Sequence, residues 1–243
     1  MFIILPPSET KAHGGSGPAL NWEKLSFPGL NSIRQEIAAE LENLDVDTAL
    51  KVLGISEKLR AEAESNTRLS SSPTMPAIER FTGVLYDALS PSTLPPAARE
   101  CLAIGDALFG ILRAEDPIPH YRLSGGSKLG GRTLKSRWGR AISAELEALR
   151  QGGELILDMR SGAYQQLGKL KGAITVRVES VREDGSRKVV SHFNKHYKGE
   201  LARVLALAHA RGEELSGIEE LAAVAEAAGM RTEIRGSELV LVV

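Results

Sequence analysis

The stretch MFIILPPSETK, residues 1–11, contains a short apolar run that ends at two prolines and a polar turn. A continuous apolar segment of this length, from Phe2 to Leu5, is typical of a strand buried on both faces. The run ELILD at 154–158 has the same character. Since a strand buried on both faces needs cover on each side, the two runs predict a sheet enclosed by helices.

Helical and strand-like patterns alternate along the rest of the chain. Apolar residues at helical spacing predict helices at 30–44, 47–53, 56–65, 133–151, 198–212 and 216–229, with caps at Ser56 and Ser216 and a further helix start at Pro95 and Pro96. Strand pairs are predicted around 183–185 and around Gly236, whereas 105–120 fits either strand or a tight helical hairpin. We therefore expect a mixed α/β (α+β) fold, a single domain over 1–243 with helices around a mixed β-sheet.

Composition excludes several classes of protein. The chain has 243 residues, 42% of them hydrophobic, and a formal net charge of −1. No apolar run approaches ~18 residues, and the opening lacks the basic region of a signal peptide. The single cysteine, Cys101, cannot form an internal disulfide. We expect a soluble cytoplasmic protein with no membrane partner, and the sequence makes no prediction about its oligomeric state.

The stretch YRLSGGSKLGGRTLKSRWGRA, residues 121–141, is strongly basic and contains no acid. Its basic side chains are Arg122, Lys128, Arg132, Lys135, Arg137 and Arg140. A solvated loop needs charge but not charge of a single sign, so this segment predicts a bound anion. Because the whole chain is nearly neutral, a nucleic-acid partner would have to bind one local face.

Polar side chains follow both buried runs. They are Ser8, Glu9, Thr10 and Lys11 after the first, and Arg160, Ser161 and Tyr164 after the second. In open α/β sheets, ligands gather outside the carboxyl ends of the strands, so these groups predict a shared site if the two strands are parallel. The alternatives are a plain polar turn in the first case and a helix cap by Ser161 in the second.

The segment AEDPIPHYRL, residues 114–123, holds an acid, a phenol and a guanidinium between prolines. Asp116, Tyr121 and Arg122 are therefore candidates for acid–base chemistry and anion binding, and we expect them to face the same cleft as Ser8 and Thr10. The alternative is a stiff turn with a buried tyrosine hydroxyl.

The segment HFNKHYKGE, residues 192–200, joins a predicted strand to a long helix. His192 and His196 are four apart, but they span a junction and no third ligand stands out, so we expect no metal site. Lys195 and Lys198 lie near a helix start, where cations oppose the helix dipole, and this predicts a compensating anion. Neither a Walker A sequence nor a strand–GxGxxG–helix unit is present, and we expect no cofactor.

Several of these segments together resemble the YaaA family of bacterial peroxide-stress proteins. The resemblance rests on IILPPSETK, ISEKL, RFTGVLYDAL, ALFGILRAEDPIPHYRL and SHFNKHYKGELAR, which occur in that order over nearly the whole chain. It implies a cytosolic protein with one mixed α/β domain, a positively charged cleft and a part similar to the helix-hairpin-helix units of DNA-repair proteins. It also implies double-stranded DNA binding and protection against hydrogen peroxide damage linked to iron.

Family positions carry over onto individual residues. The matching positions are Pro7, Thr10, Gly110, Leu112, Asp116, Ile118, Pro119, Tyr121, Arg122, Leu123, Lys195 and Lys198. Departures occur at Glu9, where many members have lysine, at Ala114 in place of proline and at Ala163 in place of an acid. Lys11 is the residue that could supply the amine missing at position 9.

Two functions of different classes remain open from the sequence. In the first, the protein binds double-stranded DNA, and the bases of 122–140 with Lys195 and Lys198 contact phosphates. In the second, it is a metal-independent enzyme acting on a nucleobase, a nucleotide or a similar small anion, with oxidation by peroxide as one conceivable reaction. Glu9, Asp116, Tyr121 and Lys195 would then be catalytic. An open basic groove favours DNA, and a buried cluster with shifted pKa values favours the enzyme.

Overall fold

The apolar run at the start of the chain forms the central strand of an eight-stranded sheet in the computed structural model, which describes residues 1–181, 186–189 and 193–243. This strand, Phe2–Leu5 (β1), is fully buried. It pairs in parallel with a strand on each side, so that Ile3 lies opposite Leu102 in one neighbour and Leu157 in the other. The buried strand predicted from its continuous apolar pattern is confirmed.

The remaining strands follow the chain from its first third to its end. They are Met75–Pro76 (β2), Leu102–Asp106 (β3), Gly110–Arg113 (β4), Pro117–Ile118 (β5), Lys128–Leu129 (β6), Arg132–Thr133 (β7), Ile156–Asp158 (β8), Ile174–Val181 (β9), Arg187–Val189 (β10), Thr232–Arg235 (β11) and Glu238–Val242 (β12). The main sheet has the order β11-β12-β9-β8-β1-β3-β4, and β10 pairs with β9. Strands β3, β1, β8, β9 and β12 are parallel, whereas β4, β10 and β11 are antiparallel to their neighbours, which confirms the mixed sheet.

Helices of very different lengths accompany the strands. They are Asn31–Glu42 (α1), Val46–Leu53 (α2), Arg60–Asn66 (α3), Ala77–Arg80 (α4), Val84–Leu89 (α5), Pro96–Arg99 (α6), Leu134–Trp138 (α7), Ala141–Gln151 (α8), Gly162–Gln165 (α9), Asn194–Ala210 (α10) and Ile218–Ala227 (α11). Short 3-10 helices occur at Trp22–Lys24, Pro28–Leu30, Glu57–Leu59 and Pro91–Thr93. The mixed α/β fold expected from the sequence is confirmed, and none of the described helices has the length and apolar character that crossing a bilayer requires.

The long helix α10 packs closely against α5 and the sheet. Its contact with α5 depends on Gly199, because a Cβ atom at this position would lie 2.2 Å from the carbonyl oxygen of Leu85. A real Cβ does not approach a backbone oxygen so closely. The glycine in the middle of the helix therefore sets the distance between the two helices.

Some local expectations are corrected. For the segment 105–120, where the sequence allowed either strand or a tight helical hairpin, the structure has the β3–β4 hairpin followed by β5, and the Asp106 carboxylate fixes the hairpin turn by accepting the backbone N–H groups of Leu108 and Phe109 at 2.8 and 2.9 Å. The helix expected at 133–151 is interrupted at Gly139, where φ is 52°, and so divides into α7 and α8. The N-cap position of helix α11 is Gly217 and not Ser216, and no side chain caps it. The turn at 183–185 lies outside the described residues.

Helices α2 and α3 form a short helical hairpin. The resemblance described in the sequence analysis implies a part of the chain similar to a helix-hairpin-helix unit. Helix α2 begins after Asp45, whose carboxylate accepts the N–H of Thr48, and ends at Gly54 with φ of 65°. A 3-10 turn then leads into α3, which packs back against α2. Ser56 precedes that turn, but its side chain makes no capping bond.

Candidate functional site

The carboxyl ends of three parallel strands meet at one edge of the sheet. Strand β1 leads into the PPSETK loop, β3 ends on Asp106 and β8 ends on Asp158. Both aspartates are buried, 2% and 5% exposed. As expected for an open α/β sheet, polar groups from separate parts of the chain collect where the strands end.

Lys11 is the buried amine of this edge. Its side chain is covered by the rings of Phe81 and Tyr121, with Nζ 5.1 Å and 4.4 Å from their centres, and Nζ donates to the carbonyl of Ser8 at 3.1 Å. Burial lowers the pKa of Lys11 to about 8, against the opposing charge of Asp106. An amine in this position has a neutral fraction near physiological pH and is suited to proton transfer.

Three tyrosines surround the same edge. Burial, and after it the charge of Asp106, raises the pKa of Tyr86, Tyr121 and Tyr164 above the usual value of a phenol. Tyr86 donates to the carbonyl of Pro6 at 2.9 Å, and the Tyr164 oxygen accepts the N–H of Gly125 at 3.2 Å. The Tyr121 hydroxyl is buried and forms no hydrogen bond of normal length and angle with any described part of the chain. The Tyr121 side chain is fully buried, so its hydroxyl is closed to solvent and lies near the charge of Asp106.

Arg122 holds the PPSETK loop in place. Its guanidinium forms an ion pair with the Glu9 carboxylate at 3.0 Å and donates to the Glu9 carbonyl at 2.9 Å. The backbone of Arg122 is itself fixed by the buried Asn66 of α3, which both donates to and accepts from it at 2.8 Å. The positive charge of Arg122 is thus balanced within the protein by the Glu9 carboxylate.

A small opening lies above the loop, and we call it the strand-end cleft. It has a volume of about 250 Å³ and is lined by Pro6, Pro7, Ser8, Glu9, Thr10, Thr82, Gly83, Val84, Leu85, Tyr86 and Lys195. The hydroxyl of Thr10 lies 3.1 Å from the hydroxyls of both Ser8 and Thr82. Exposed Lys195, in the first turn of α10, is the one cation among the lining residues, and Glu9 is the one carboxylate. Since Glu9 is paired with Arg122, Lys195 and the hydroxyls are the groups that could hold a small anion.

The fold does not place Asp116 beside the other candidate site residues. One of its carboxylate oxygens accepts the N–H and the hydroxyl of Ser26 at 3.1 and 2.7 Å, and the other accepts the N–H of Arg113 at 2.9 Å. Burial raises its pKa, although these hydrogen bonds oppose the shift. The expectation that Asp116 faces the cleft with Ser8 and Thr10 is therefore wrong, because its oxygens fix the turn before β5.

The charged groups of Arg160, after β8, and of Lys198, on α10, are engaged in contacts within the protein. Arg160 forms a two-point ion pair with Asp158 and donates to the carbonyl of Gly168 at 2.8 Å, all of it buried. Lys198 donates to the Met159 carbonyl at 3.1 Å, and burial lowers its pKa to about 8. Ser161 stands at the N-cap of α9 without a side-chain bond. Arg160 and Lys198 are thus not available to an external phosphate.

The six bases of the 121–141 stretch divide between buried and exposed positions. Arg137 is 8% exposed and pairs with Glu36 at 2.8 Å and with Glu40. Exposed Arg132 also approaches Glu36, at 3.4 Å. The acid partners come from α1, far away in the sequence, so the segment is less positive in the fold than in isolation.

The remaining cations frame a shallow opening, which we call the basic groove. It is lined by Thr133, Lys135, Ser136, Gly139, Arg140, Ser143, Gln166, Gly168 and Lys169, with a volume of about 580 Å³. These lining residues include no carboxylate and no aromatic ring. Exposed Lys128 belongs to the same stretch, on β6.

Sequence reasoning missed part of both openings. Asp106, Tyr86 and Thr82 belong to the strand-end site, and Lys169 belongs to the basic groove. The available signal for Asp106 was its position at the end of LAIGD, since the aspartate of ELILD closes an apolar run in the same way. His192 lies outside the described residues, and His196 pairs with Glu200 at 3.2 Å along α10.

Comparison of the sequence with known proteins identifies the family of this chain. The sequence profile described as peroxide stress protein YaaA matches residues 1–228. The chain belongs to the YaaA family. Among its relatives, a UPF0246 protein of Corynebacterium glutamicum is 63% identical over 96% of this chain and 95% of its own length. A UPF0246 protein of Streptomyces coelicolor is 44% identical over 84% and 82%, and one of Shewanella woodyi is 28% identical over 91% and 90%. Membership in the YaaA family supports a role in peroxide stress.

Proposed function

We propose that this protein acts in the response to peroxide stress by binding double-stranded DNA through the basic groove. The observation that carries the proposal is the lining of the groove, where Lys135, Arg140 and Lys169 stand together with no carboxylate among the lining residues. Exposed cations that pair with no acid in the described ranges 1–181, 186–189 and 193–243 are suited to phosphate oxygens, and replacing condensed counterions at those phosphates supplies most of the binding free energy.

The composition of the groove favours a duplex over a single strand. Proteins that bind single strands stack bases on aromatic side chains, and the lining residues of the groove include none. Hydroxyls of Thr133, Ser136 and Ser143 stand beside the cations, and such groups add hydrogen bonds to phosphate oxygens. With a net charge of −1 on the whole chain, binding rests on this local face and is sensitive to salt.

Charge removal on the groove tests the proposal. The variant Lys135→Ala/Arg140→Ala/Lys169→Ala is compared with the parent by fluorescence anisotropy on a mixed-sequence duplex over a series of salt concentrations. We expect affinity to fall by roughly tenfold or more and the slope of log affinity against log salt to decrease by about two to three, since each phosphate contact contributes about 0.9. The control, Lys24→Ala/Lys188→Ala, removes two exposed lysines elsewhere and keeps the parent's affinity.

The same experiment includes outcomes that contradict the proposal. A groove variant that binds DNA like its parent, with an unchanged salt slope, would show that phosphates do not occupy the groove. Loss of binding in Lys51→Ala/Lys58→Ala, with the groove variant unaffected, would move the DNA site to the hairpin of α2 and α3, where these exposed lysines lie.

The strand-end cleft supports a second candidate function, an enzyme acting on a small nucleobase-like anion. The specific observation is that Lys11 and Tyr121, whose pKa values are shifted by burial, lie with the buried carboxylate of Asp106 at the strand ends, beside an opening lined by hydroxyls and Lys195. Such a group is typical of sites that move protons. The cleft and the basic groove have no lining residue in common, so both functions are compatible with one chain.

Thermal shift measurements with bases, nucleosides and nucleotides test the second candidate. We expect an anionic member of these classes to raise the melting temperature of the parent and of Lys188→Ala, but not that of Lys195→Ala, because Lys195 is the cation of the cleft. A screen in which no compound of these classes raises the melting temperature would leave the cleft without this function.

A further inference from the structure

Three metal-ligating side chains from separate parts of the chain come together beside the PPSETK loop. His13 follows the loop, Glu62 lies on α3 and His120 follows β5. His13 Nε2 is 4.0 Å from Glu62 Oε1, and His120 Nε2 is 3.7 Å from Glu62 Oε2. One potential ligand atom from each of the three lies within 4.8 Å of the other two.

The fold holds the three segments next to one another through buried polar ties. The Arg80 guanidinium, fully buried, donates to the carbonyl of Ala12 at 2.5 Å and to that of Ile118 at 3.1 Å. It thereby joins the chain just before His13 to the chain just before His120. The paired hydrogen bonds between Asn66 and Arg122 fix α3, and hence Glu62, against the same segment.

The imidazole of His120 has an unused ligand atom inside this group. His120 is only 9% exposed, and its Nε2 is buried without a hydrogen-bond partner among the residues that the structure describes. The nearest carboxylate oxygen, at 3.7 Å, is beyond the length of a hydrogen bond. A buried polar atom normally has a partner, so the arrangement indicates that another atom belongs between His120 and Glu62.

We propose that His13, Glu62 and His120 bind one divalent first-row transition-metal ion. Two imidazole nitrogens and one carboxylate form a donor set that suits Zn²⁺ and Fe²⁺, and three protein ligands leave coordination positions for water or a small ligand. Bonds of about 2.1 Å to a tetrahedral ion place ligand atoms about 3.4 Å apart. The distances of 4.0 and 3.7 Å between the histidine nitrogens and the Glu62 oxygens therefore need to shorten only slightly.

His13 is the side chain that must move to bind the ion, and its exposure leaves it free to move. His13 is 78% exposed and its ring stacks on His120 with centres 4.4 Å apart and planes 21° from parallel. A tilt of this exposed ring turns its nitrogen toward Glu62, while buried His120 stays in place. Since the charges of Arg80 and Lys11 act on His120, they repel a cation as well, and we expect weaker binding than at a closed structural zinc site.

Metal binding would tie the loop of the strand-end cleft to α3. His13 is two residues from Lys11 and His120 directly precedes Tyr121, so an ion that joins the histidines fixes the segments that carry the buried amine and phenol. The site is distinct from the lining residues of both the cleft and the basic groove. The metal proposal therefore does not depend on the DNA proposal, and each can be tested separately.

Cobalt titration of the chelator-treated full chain tests the site. Co²⁺ reports its coordination through visible absorption, and Zn²⁺ is then added to displace it. We expect one Co²⁺ per chain in the parent, and affinity lower by roughly tenfold or more in His13→Ala and Glu62→Gln, because even outer partners of metal ligands contribute about that much. His13 is exposed, so its removal does not threaten the fold, and circular dichroism verifies this.

The control is His209→Ala, which removes a histidine at the end of α10. It is expected to bind Co²⁺ like the parent. Failure of the parent to bind Co²⁺ or Zn²⁺ at a one-to-one ratio would overturn the proposal. So would equal affinity in the parent and His13→Ala, because the ion would then be held elsewhere, for example by His196 and Glu200.

Discussion

The ammonium of Lys11 lies 4.4 Å from the centre of the Tyr121 ring, and both side chains are buried. The contact joins the loop after β1 to the segment after β5, whose residues are more than a hundred positions apart in the chain. A cation on an aromatic face regains part of the stabilisation that water provided, yet burial still lowers the pKa of Lys11 to about 8. The charged amine is therefore held at a cost in stability.

Replacing Lys11 by methionine exposes that cost. Below pH 8 the amine is charged in both the folded and the unfolded chain, and its burial disfavours the fold. Between about pH 8 and 10.5 only the unfolded chain keeps the proton, so the parent gains stability as pH rises. We expect Lys11→Met to be more stable than the parent at pH 7, by up to about 3 kcal/mol, with the difference closing by pH 10.5. Chemical denaturation at several pH values measures it, and a difference independent of pH would contradict the shift.

Tyr121 and Tyr86 form a matched pair for testing buried hydroxyls. Tyr121→Phe removes a hydroxyl without a well-formed hydrogen bond, so we expect unchanged stability or a gain of about 1 kcal/mol. Tyr86→Phe removes a donor from the buried Pro6 carbonyl and is expected to cost about 1–2 kcal/mol. Urea denaturation of both variants gives the comparison. Equal losses in the two would mean that the Tyr121 hydroxyl has a partner in solution.

Arg137 and Arg140 are three positions apart and are expected to behave oppositely. Arg137→Ala leaves Glu36 and Glu40 without their buried partner and should destabilise the fold by about 3 kcal/mol, at the low end for such pairs because both acids remain partly in water. Its effect on DNA binding by the folded protein should be small. Arg140→Ala should leave the melting temperature unchanged and weaken DNA binding. Thermal melts and anisotropy titrations of the two variants separate these effects, and the reverse pattern would refute the assignment.

Gly199 should not tolerate alanine, although alanine is the better helix former. The added Cβ would meet the Leu85 carbonyl and force α10 away from α5, and we expect a loss of about 1–3 kcal/mol despite the gain in helix propensity. The control is Gly162→Ala on α9, where no atom lies within 4 Å of the new Cβ and φ is not positive. That change is expected to be neutral or to stabilise by up to about 1 kcal/mol. Thermal denaturation measures both, and a Gly199→Ala variant as stable as its parent would show that the helices can separate freely.

The features that the sequence predicts well are local ones. The strands β1 and β8 follow from continuous apolar runs, and the loop after β1 follows from its prolines and polar residues. Because parallel strands bring their carboxyl ends together, the participation of Ser8, Thr10 and Lys11 in one site could be anticipated from these local signals alone.

The features that could not be predicted depend on partners distant in the chain. Arg137 lies in an acid-free stretch, and its acids stand on α1 about a hundred residues earlier, so its burial is invisible in local charge. Asp116 has the type and position of a catalytic acid, but the Ser26 groups that occupy it lie ninety residues away. His13, Glu62 and His120 share no motif, since three separate segments supply them.

The central position of β1 has a consequence for how the chain reaches its fold. Its hydrogen-bonding edges are completed only by strands about 100 and about 150 residues further along, opposite Leu102 and Leu157. During synthesis this apolar segment therefore leaves the ribosome long before either neighbour exists. Such distant pairings make folding slow, and an uncovered apolar strand is prone to aggregation in the interval. We expect the nascent chain to depend on chaperones until β8 has emerged.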